Sequence, residues 1–130
     1  MANSELILLD TSILIDFFRK KDKSKSKFYS LTTKYKLFAV SVITEYEIFT
    51  GASDSTFEYW NIFFDQVMVL PLDRIATQNA IKIFKQLKHD NKLIEIPDLL
   101  IGSTAIANKI KLATLNRKHF ERIEGLVIID

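Results

Sequence analysis

Carboxylate and amide side chains lie at points of this chain where strands or helices are expected to begin or end. Asp10 follows the apolar run Leu6–Leu9, Asp98 opens a predicted helix, and Asn116 ends a later apolar run. Crowded carboxylates repel one another unless a cation compensates their charge, and oxygen ligands of this kind suit Mg²⁺. A bound divalent ion makes a nucleophile of water and neutralises charge on a phosphate during in-line displacement. The pattern therefore indicates metal-assisted phosphodiester chemistry.

Asp10 also has a simpler interpretation, as a residue at the start of a helix. Thr11 or Ser12 is a suitable N-cap for the helix predicted over Ile13–Phe18, and aspartate is common at such positions. Taken alone, Asp10 is more typical of a helix cap than of a metal ligand. The metal hypothesis depends on further acids reaching the same place.

Two acids compete for the place of a second carboxylate. Glu45 and Glu47 lie in the helix predicted from Val42 to about Thr50, and residues two apart point to nearly opposite sides of a helix. The apolar face between them does not decide which one faces a shared site. Glu47 could also complete a capping box with Thr44, although Ser41 is an equally good cap.

Asp98 opens a helix predicted from Ile96 to about Lys109. Pro97 suits a first helical turn, and the helix is apolar nearly all round, so we expect it to be buried. A buried carboxylate needs a partner or a metal, because an unpaired buried charge is costly. The alternative is a surface acid stabilised by the positive end of the helix.

Composition narrows the choice of metal and compartment. The chain has no cysteine and only two histidines, His89 and His119, which argues against thiolate or multi-histidine zinc sites and leaves Mg²⁺ or Mn²⁺. The net charge of +2 is too small to imply nucleic acid by itself. We see no signal peptide and no bilayer-spanning segment, so we expect a cytoplasmic protein.

The elements that must position these residues alternate along the chain. Apolar runs predict strands over Leu6–Leu9, Leu37–Val40, Val67–Leu70, Leu112–Leu115 and Leu126–Ile129, and helical patterns lie between them. Such alternation predicts a parallel sheet covered on both faces. In open α/β sheets ligands bind at the carboxyl ends of the strands, where these polar residues fall. The length predicts one domain over residues 1–130.

Other helices are predicted over Phe28–Tyr35, Asp54–Asp65 and Arg74–Lys88, the last capped by Asp73. The Asp54–Asp65 stretch is rich in aromatic residues, which are more often core than a partner surface. The segment Arg19–Lys27 is rich in lysine and arginine. It is either a solvated connection between helices or a track for phosphates.

Together, these motifs resemble the PIN domain, and most closely the small VapC-type toxins of toxin–antitoxin pairs. The resemblance covers essentially the whole chain, with the motifs in the order and spacing of the family. The segments that carry it are Leu8-Leu-Asp10-Thr-Ser-x-Leu-Ile, Ser41-Val-Ile-Thr-x-x-Glu47-Ile-x-x-Gly51, Ile96-Pro-Asp98-x-x-Ile-x-x-x-Ala and Leu112-Ala-Thr-Leu-Asn116-x-x-His-Phe120.

The resemblance implies a three-layer α/β/α fold with a mostly parallel sheet of four to five strands, a homodimer and an antitoxin partner. The three acids of the family fall on Asp10, Glu47 and Asp98, which selects Glu47 over Glu45. Positions that support these acids fall on Thr11, Ser12 and Thr114. Many relatives have a further aspartate at or just after Asn116, where this chain has Asn116 and His119. The missing carboxylate weakens the expectation of a second metal ion more than that of the first.

The resemblance thus implies an endoribonuclease that uses Mg²⁺ or Mn²⁺. Asp10, Glu47 and Asp98 would hold the metal, Asn116 would position a ligand or a water, and bound water would attack the RNA phosphorus. Candidate RNA-binding residues are Arg19, Lys20, Lys21, Arg117 and Lys118. One alternative is a silent module that binds RNA or an antitoxin without cutting. Another is a phospho-acceptor domain, which is disfavoured because no clear lysine ends a strand. The RNA target cannot be read from the residues.

Overall fold

A computed structural model describes residues 3–129 of the chain as a parallel sheet flanked by helices. Between α1 and α2 lies a short 3₁₀ turn, Lys23–Lys25. The other elements, in chain order, are β1 (Asn3–Leu9), α1 (Thr11–Arg19), α2 (Lys27–Thr32), β2 (Tyr35–Ser41), α3 (Val42–Gly51), α4 (Asp54–Gln66), β3 (Met68–Leu70), α5 (Arg74–His89), α6 (Ile96–Ala107), β4 (Lys111–Ala113) and α7 (Arg117–Phe120).

The sheet has four strands in the order β3-β2-β1-β4, and every neighbouring pair is parallel. The chain builds outward from β1 through β2 to β3, and then returns to place β4 on the other side of β1. The strand order therefore reverses at β1, and the crevice at the carboxyl end of such a strand is where open α/β sheets bind ligands. Asp10 lies at that end, directly after β1.

The fold class predicted from the sequence is confirmed, but the fifth predicted strand is not. Residues Leu126–Ile129 form only a single parallel bridge, between Leu112 and Ile128. Two backbone hydrogen bonds of 2.9 Å hold this segment, one from Leu112 to Val127 and one from Ile129 to Leu112. Because β4 has only three residues, the segment beside it forms a single bridge and not a regular strand.

Alternate side chains of β1 pack into two of the three hydrophobic clusters of the described residues. Ile7 and Leu9 pack in one cluster with residues of α1, β2 and α4, while Leu8 packs in another with Ile101 of α6 and Leu112 of β4. Full burial of one such side chain contributes about 1.5–3 kcal/mol. A strand that is apolar on both faces is thereby fixed in register, which fixes the position of the residue that follows it.

Some predicted helix boundaries are confirmed and others are wrong. Ser41 and Asp73 cap α3 and α5, accepting hydrogen bonds from Ile43 and Ala76. The predicted Thr44 capping box does not form, because α3 already begins at Val42. The other corrections concern α1 and α2.

The predicted helix over Phe28–Tyr35 is too long, because α2 ends at Thr32 and Tyr35 already belongs to β2. The predicted cap at Thr11 or Ser12 is also wrong. Helix α1 begins at Thr11, and Asp10 takes the cap position without a side-chain capping bond. The polar groups of residues 10–12 are therefore used elsewhere. Within residues 3–129, no helix is long and apolar enough to cross a membrane.

Candidate active site

Asp10 is the buried centre of the site, with only 1% of its surface exposed. Its Oδ2 accepts two hydrogen bonds of 2.7 Å, one from the hydroxyl of Ser12 and one from the hydroxyl of Thr114. Two donors on one oxygen fix the rotation of the carboxylate, and neither contact uses Oδ1. Asp10 is therefore oriented by the protein with one oxygen left to face a ligand.

The end of β4 is tied to the same carboxylate through backbone groups. The amide of Leu115 donates to the Ser12 hydroxyl at 3.0 Å, and the amide of Asn116 donates to the Thr114 hydroxyl at 2.9 Å. The amide of Asp10 itself donates to the carbonyl of Ala113 at 3.0 Å. These bonds form a network that joins residues about one hundred positions apart in the chain.

Glu47 of α3 faces this network through Thr11. The Thr11 hydroxyl lies 2.7 Å from Oε1 of Glu47 and 2.9 Å from the hydroxyl of buried Thr44. A hydroxyl has one proton, so Thr11 donates to one of these oxygens at a time. Successive helix residues are about 100° apart, so Glu45 lies some 200° around α3 from Glu47. The structure thus brings Glu47, rather than Glu45, towards the start of α1.

The pKa of Glu47 is raised above its ordinary value, chiefly because burial disfavours the charged form. The Thr11 hydrogen bond opposes this shift in the pKa, whereas the charges of Asp10, Asp98 and Glu95 add to it. The carboxylates therefore repel one another at a single edge of the sheet. Such repulsion is the condition that a bound cation relieves.

Asp98 lies in the first turn of α6 and contacts a histidine from α7. Nδ1 of His119 is 3.1 Å from Oδ2 of Asp98. Burial is the main cause that raises the pKa of Asp98, the contact with His119 opposes it, and the charge of Asp10 adds to it. The charge of Asp10 thus acts on both Glu47 and Asp98, so the three acids predicted from the sequence lie near enough at this edge to influence one another. Their role as metal ligands stays a prediction.

Glu95 is a fourth acid at this edge, and the sequence analysis missed it. Its charge raises the pKa of both Glu47 and Asp98. It is exposed and takes the cap position of α6 without a side-chain capping bond. The available signal was its spacing, since residues three apart share a helix face and Glu95 precedes Asp98 by three.

Asn116 is exposed and precedes α7, where its side chain makes no capping bond. Its described tie to the site is the backbone amide that donates to Thr114. The predicted role of its side chain, to position a ligand or a water, stays a prediction.

The donor chemistry fits a hard divalent ion. The hydrogen bonds above engage one oxygen each of Asp10, Glu47 and Asp98, and leave the second oxygen of each carboxylate for a cation. Among residues 3–129, no three acidic, histidine or cysteine side chains form a group that could hold a metal ion. Mg²⁺ usually keeps several waters and binds directly to one or two carboxylates, so water would have to complete the coordination of an ion at this site.

The predicted RNA-binding residues of the first basic segment lie in different settings. Arg19 lines a groove of about 400 Å³ together with Glu47. Lys20 is 3.6 Å from Asp16 and lines a neighbouring cavity that includes Ser12, while Lys21 is exposed. Within the same segment, Lys23 donates to carbonyls at the end of α1 and therefore stabilises the helix.

Lys118, in α7, lines a larger cavity beside that helix. Arg117 precedes it in the same short helix. Cations thus lie on two sides of the acidic edge. A role in binding RNA stays a prediction for all five residues named from the sequence.

The fold and site define an α/β protein with an acidic, oxygen-rich site at the point where the strand order of its parallel sheet reverses. The chain belongs to the PIN domain family, whose sequence model matches residues 7–126. The resemblance inferred from the motifs is thereby confirmed. PIN-domain ribonucleases are in general metal-dependent.

Named relatives support the same assignment. The chain is 38% identical to Ribonuclease VapC1 of Methanocaldococcus jannaschii over 127 residues, which cover 95% of this chain and 87% of the relative. Its fold is similar to that of VapBC2 from Rickettsia felis, solved bound to a promoter DNA fragment, with a TM-score of 0.83, 26% identity and coverage of 95% and 97%. A toxin–antitoxin complex from Klebsiella pneumoniae matches with a TM-score of 0.75, 25% identity and coverage of 93% and 95%.

Proposed function

We propose that this protein is a metal-dependent endoribonuclease and the toxin of a toxin–antitoxin pair. The observation that carries the proposal is the buried Asp10 carboxylate, fixed by Ser12 and Thr114, with Glu47 and Asp98 repelling it from the same edge. The relative named as a ribonuclease, 38% identical along nearly the whole chain, supports RNA as the substrate.

Asp10, Glu47 and Asp98 would hold Mg²⁺ or Mn²⁺ through carboxylate oxygens or bound water. When bound, such an ion lowers the pKa of water and neutralises charge on a phosphate. Ser12 and Thr114 fix the orientation of Asp10, and Thr11 does the same for Glu47. Asn116 would position a ligand or a water beside them. Holding these groups in place in advance lowers the barrier, because they need not reorganise during the reaction.

The antitoxin partner is supported by the relatives solved as toxin–antitoxin assemblies. In this chain, Phe18, Ile48 and Trp60 give the groove beside Glu47 an apolar wall. A partner segment with an apolar face and a cation could fill the groove and compensate the charge of Glu47. It would thereby block the acidic site.

A homodimer is also part of the proposal. Helix α4 exposes Phe57, Tyr59 and Ile62 by 38–52% of their surface, and aromatic residues are enriched in protein interfaces. Cleavage of RNA and control by an antitoxin would both take place in the cytoplasm.

Cleavage of RNA tests the proposal directly. Purified protein incubated with structured RNA should cut it in Mg²⁺ or Mn²⁺, and EDTA should stop the reaction. Asp10→Asn should lose cleavage, whereas Glu45→Gln, on the same helix as Glu47 but turned away from Thr11, should keep it. Cleavage by Asp10→Asn at the rate of the unaltered protein would contradict the assignment.

A catalytically silent module that binds RNA or an antitoxin is the second candidate. Two points favour it. Among residues 3–129, no three acidic, histidine or cysteine side chains form a group that could hold a metal ion, and the family resemblance implies a further acid near Asn116 in many relatives, where this chain has none. Calorimetric titration with Mn²⁺ separates the two candidates. A silent module should show no Mn²⁺ binding that is lost in Asp98→Asn, whereas the ribonuclease should show it.

A further inference from the structure

We propose that the RNA backbone runs from the acidic site into a cationic cleft between α7 and the loop over residues 90–95. Lys92, Lys118 and Arg122 line this cleft, which has a volume of about 680 Å³. The inference rests on the proposed ribonuclease function and assigns the path that the substrate follows beyond the reacting phosphate. It adds Lys92, which lies outside both basic stretches, to the cations predicted from the sequence.

Both walls of the cleft are continuous in sequence with residues at the acidic site. On one wall, Lys118 precedes His119, whose Nδ1 is 3.1 Å from Oδ2 of Asp98. On the other wall, the loop that carries Lys92 continues into Glu95 and the start of α6. If one phosphate of an RNA strand is bound at Asp98, the neighbouring phosphates of that strand would lie in the cleft.

Arg122 is held in place in the cleft by contacts with the opposite loop. Its Nη1 donates to the carbonyl of Leu93 at 3.1 Å and lies 3.5 Å from the carbonyl of Lys92. Carbonyl groups are neutral, so these contacts fix the guanidinium without cancelling its charge. A cation ordered in advance loses less side-chain entropy when it binds an anion, and guanidinium suits phosphate geometry.

The loop opposite α7 is itself fixed by backbone bonds. The amide of Lys92 donates to the carbonyl of Leu87 at 2.8 Å, and the amide of Asn91 donates to Lys88 at 3.2 Å. Asn91 has a φ of 57°, the left-handed conformation that turns the chain at the end of α5. Lys92 is thus presented at the rim of the cleft by an ordered turn.

The charge along this path favours a polyanion. Glu121 is the acid among the lining residues, against the three cations, and Glu95 lies further along the loop at the acidic site. Arg122 also lines a neighbouring cavity of about 260 Å³, to which α5 contributes Lys82, with Glu124 as its acid. Cations spaced along two cavities that share Arg122 match a chain of phosphates better than a single small anion.

Salt-dependent RNA binding tests the proposal. The Asp10→Asn protein, which should not cut, is titrated with fluorescein-labelled single-stranded RNA in EDTA and followed by fluorescence anisotropy. Each lost phosphate contact on a single strand lowers the slope of log K against log salt by about 0.7. Adding Lys92→Gln and Lys118→Gln should therefore reduce the magnitude of the slope by about 1.4. The fold loss of RNA affinity caused by these two substitutions should then be about sevenfold smaller at about 200 mM salt than at about 50 mM.

The matched control removes the same charge at the opposite edge of the sheet. Lys34 and Lys36 are exposed at the amino end of β2, so Lys34→Gln with Lys36→Gln should leave the slope within about 0.3 of the parent, less than half of one phosphate contact. Thermal unfolding of both double variants checks that each remains folded. Equal slopes for the cleft variant and the control would overturn the proposal.

Two further measurements distinguish the other outcomes. If duplex DNA of the same sequence loses more affinity than RNA in the cleft variant, the cleft serves DNA and the proposal fails. If the unaltered protein cuts no RNA in Mg²⁺ while the cleft variant still shows the reduced slope, the ribonuclease assignment fails and the RNA path is supported.

Discussion

The Thr114 hydroxyl at the end of β4 donates a 2.7 Å hydrogen bond to Oδ2 of Asp10 at the end of β1. The same hydroxyl oxygen accepts the amide of Asn116 at 2.9 Å. One buried threonine therefore orients a carboxylate and fixes the loop that follows β4. Because its proton goes to Asp10, it cannot turn towards another acceptor.

Thr114→Val should weaken metal binding and slow RNA cleavage. Valine keeps the shape of threonine but removes the hydroxyl, so Asp10 loses one of its two donors. Loss of a group that orients a metal ligand typically costs about 10–100-fold in metal affinity or activity. Calorimetry with Mn²⁺ and cleavage rates measure the two effects.

Thr114→Ser is the matched control, because serine keeps the hydroxyl at this buried position. It should retain metal affinity within about threefold, a free-energy difference below 1 kcal/mol. Valine and serine variants with the same Mn²⁺ affinity would show that the hydrogen bond does not orient the ligand.

Glu47→Gln should make the metal-free protein more stable relative to the unaltered protein as the pH rises. Burial and neighbouring acids raise the pKa of Glu47, so the folded state binds more protons than the unfolded state above the ordinary glutamate pKa of about 4.3. Stability is therefore lost as the pH rises through the raised pKa. Glutamine carries no charge and escapes this loss, while Thr11 can still donate to its oxygen.

Urea unfolding in EDTA between about pH 4 and 8 spans the ordinary carboxyl pKa and the region above it. The advantage of Glu47→Gln should be absent at the acid end and grow towards neutral pH. Glu45→Gln, which faces away from the site, is the control and should show no such growth. A Glu47→Gln advantage that is independent of pH would contradict the explanation from repulsion.

His119→Ala should weaken Mn²⁺ binding through Asp98. Its Nδ1 contacts Oδ2 of Asp98 at 3.1 Å, so its loss frees the carboxylate to rotate away from the site. His119→Asn should largely restore affinity, because the asparagine amide can place an N–H near the position of Nδ1. We expect a loss of about tenfold for alanine, at the lower end for groups that orient metal ligands. Equal Mn²⁺ affinity for His119→Ala and His119→Asn would show that His119 does not orient Asp98.

Local sequence placed two acids at the ends of elements, Asp10 after an apolar run and Asp98 behind the proline of a helix start. It did not by itself make them metal ligands, because Asp10 taken alone is more typical of a helix cap and Asp98 had the alternative of a surface acid at the positive end of a helix. Glu47 could not be chosen from periodicity, because the apolar face of α3 lies between it and Glu45. The family resemblance chose it, and the Thr11 hydrogen bond shows the physical reason.

The remaining errors concern contacts between distant parts of the chain. Thr11 and Ser12 look like caps in a local window. The Thr11 hydroxyl instead contacts Thr44 and Glu47, more than thirty residues away, and the Ser12 hydroxyl accepts from the amide of Leu115. Glu95 was not predicted because its one signal, a spacing of three from Asp98, is equally typical of a solvated acid. The metal-binding roles of the predicted acids remain predictions until the ion is titrated.

Gly102→Ala should destabilise the protein, although alanine favours helices by about 1 kcal/mol over glycine. A Cβ at Gly102 would lie 2.5 Å from Cδ1 of Ile123, and Ile123 is 98% buried, since only 2% of its surface is exposed. Overpacking of this kind costs about 1–3 kcal/mol, enough to cancel or exceed the gain in helix propensity. Helix α6 also carries Asp98, so displacement of the helix would reach the site.

In the Ile123→Val background, Gly102→Ala should stabilise the protein instead of destabilising it. Valine lacks the Cδ1 atom and by itself should cost about 0.5–1.5 kcal/mol through a small cavity. In that background the added methyl of Gly102→Ala fills the vacated space, so the double variant should be more stable than Ile123→Val alone. Urea unfolding of the four proteins gives the coupling energy between the two positions. An equal effect of Gly102→Ala on stability in both backgrounds would contradict this explanation. The close approach of α6 to the segment after α7 would then not account for the glycine at position 102.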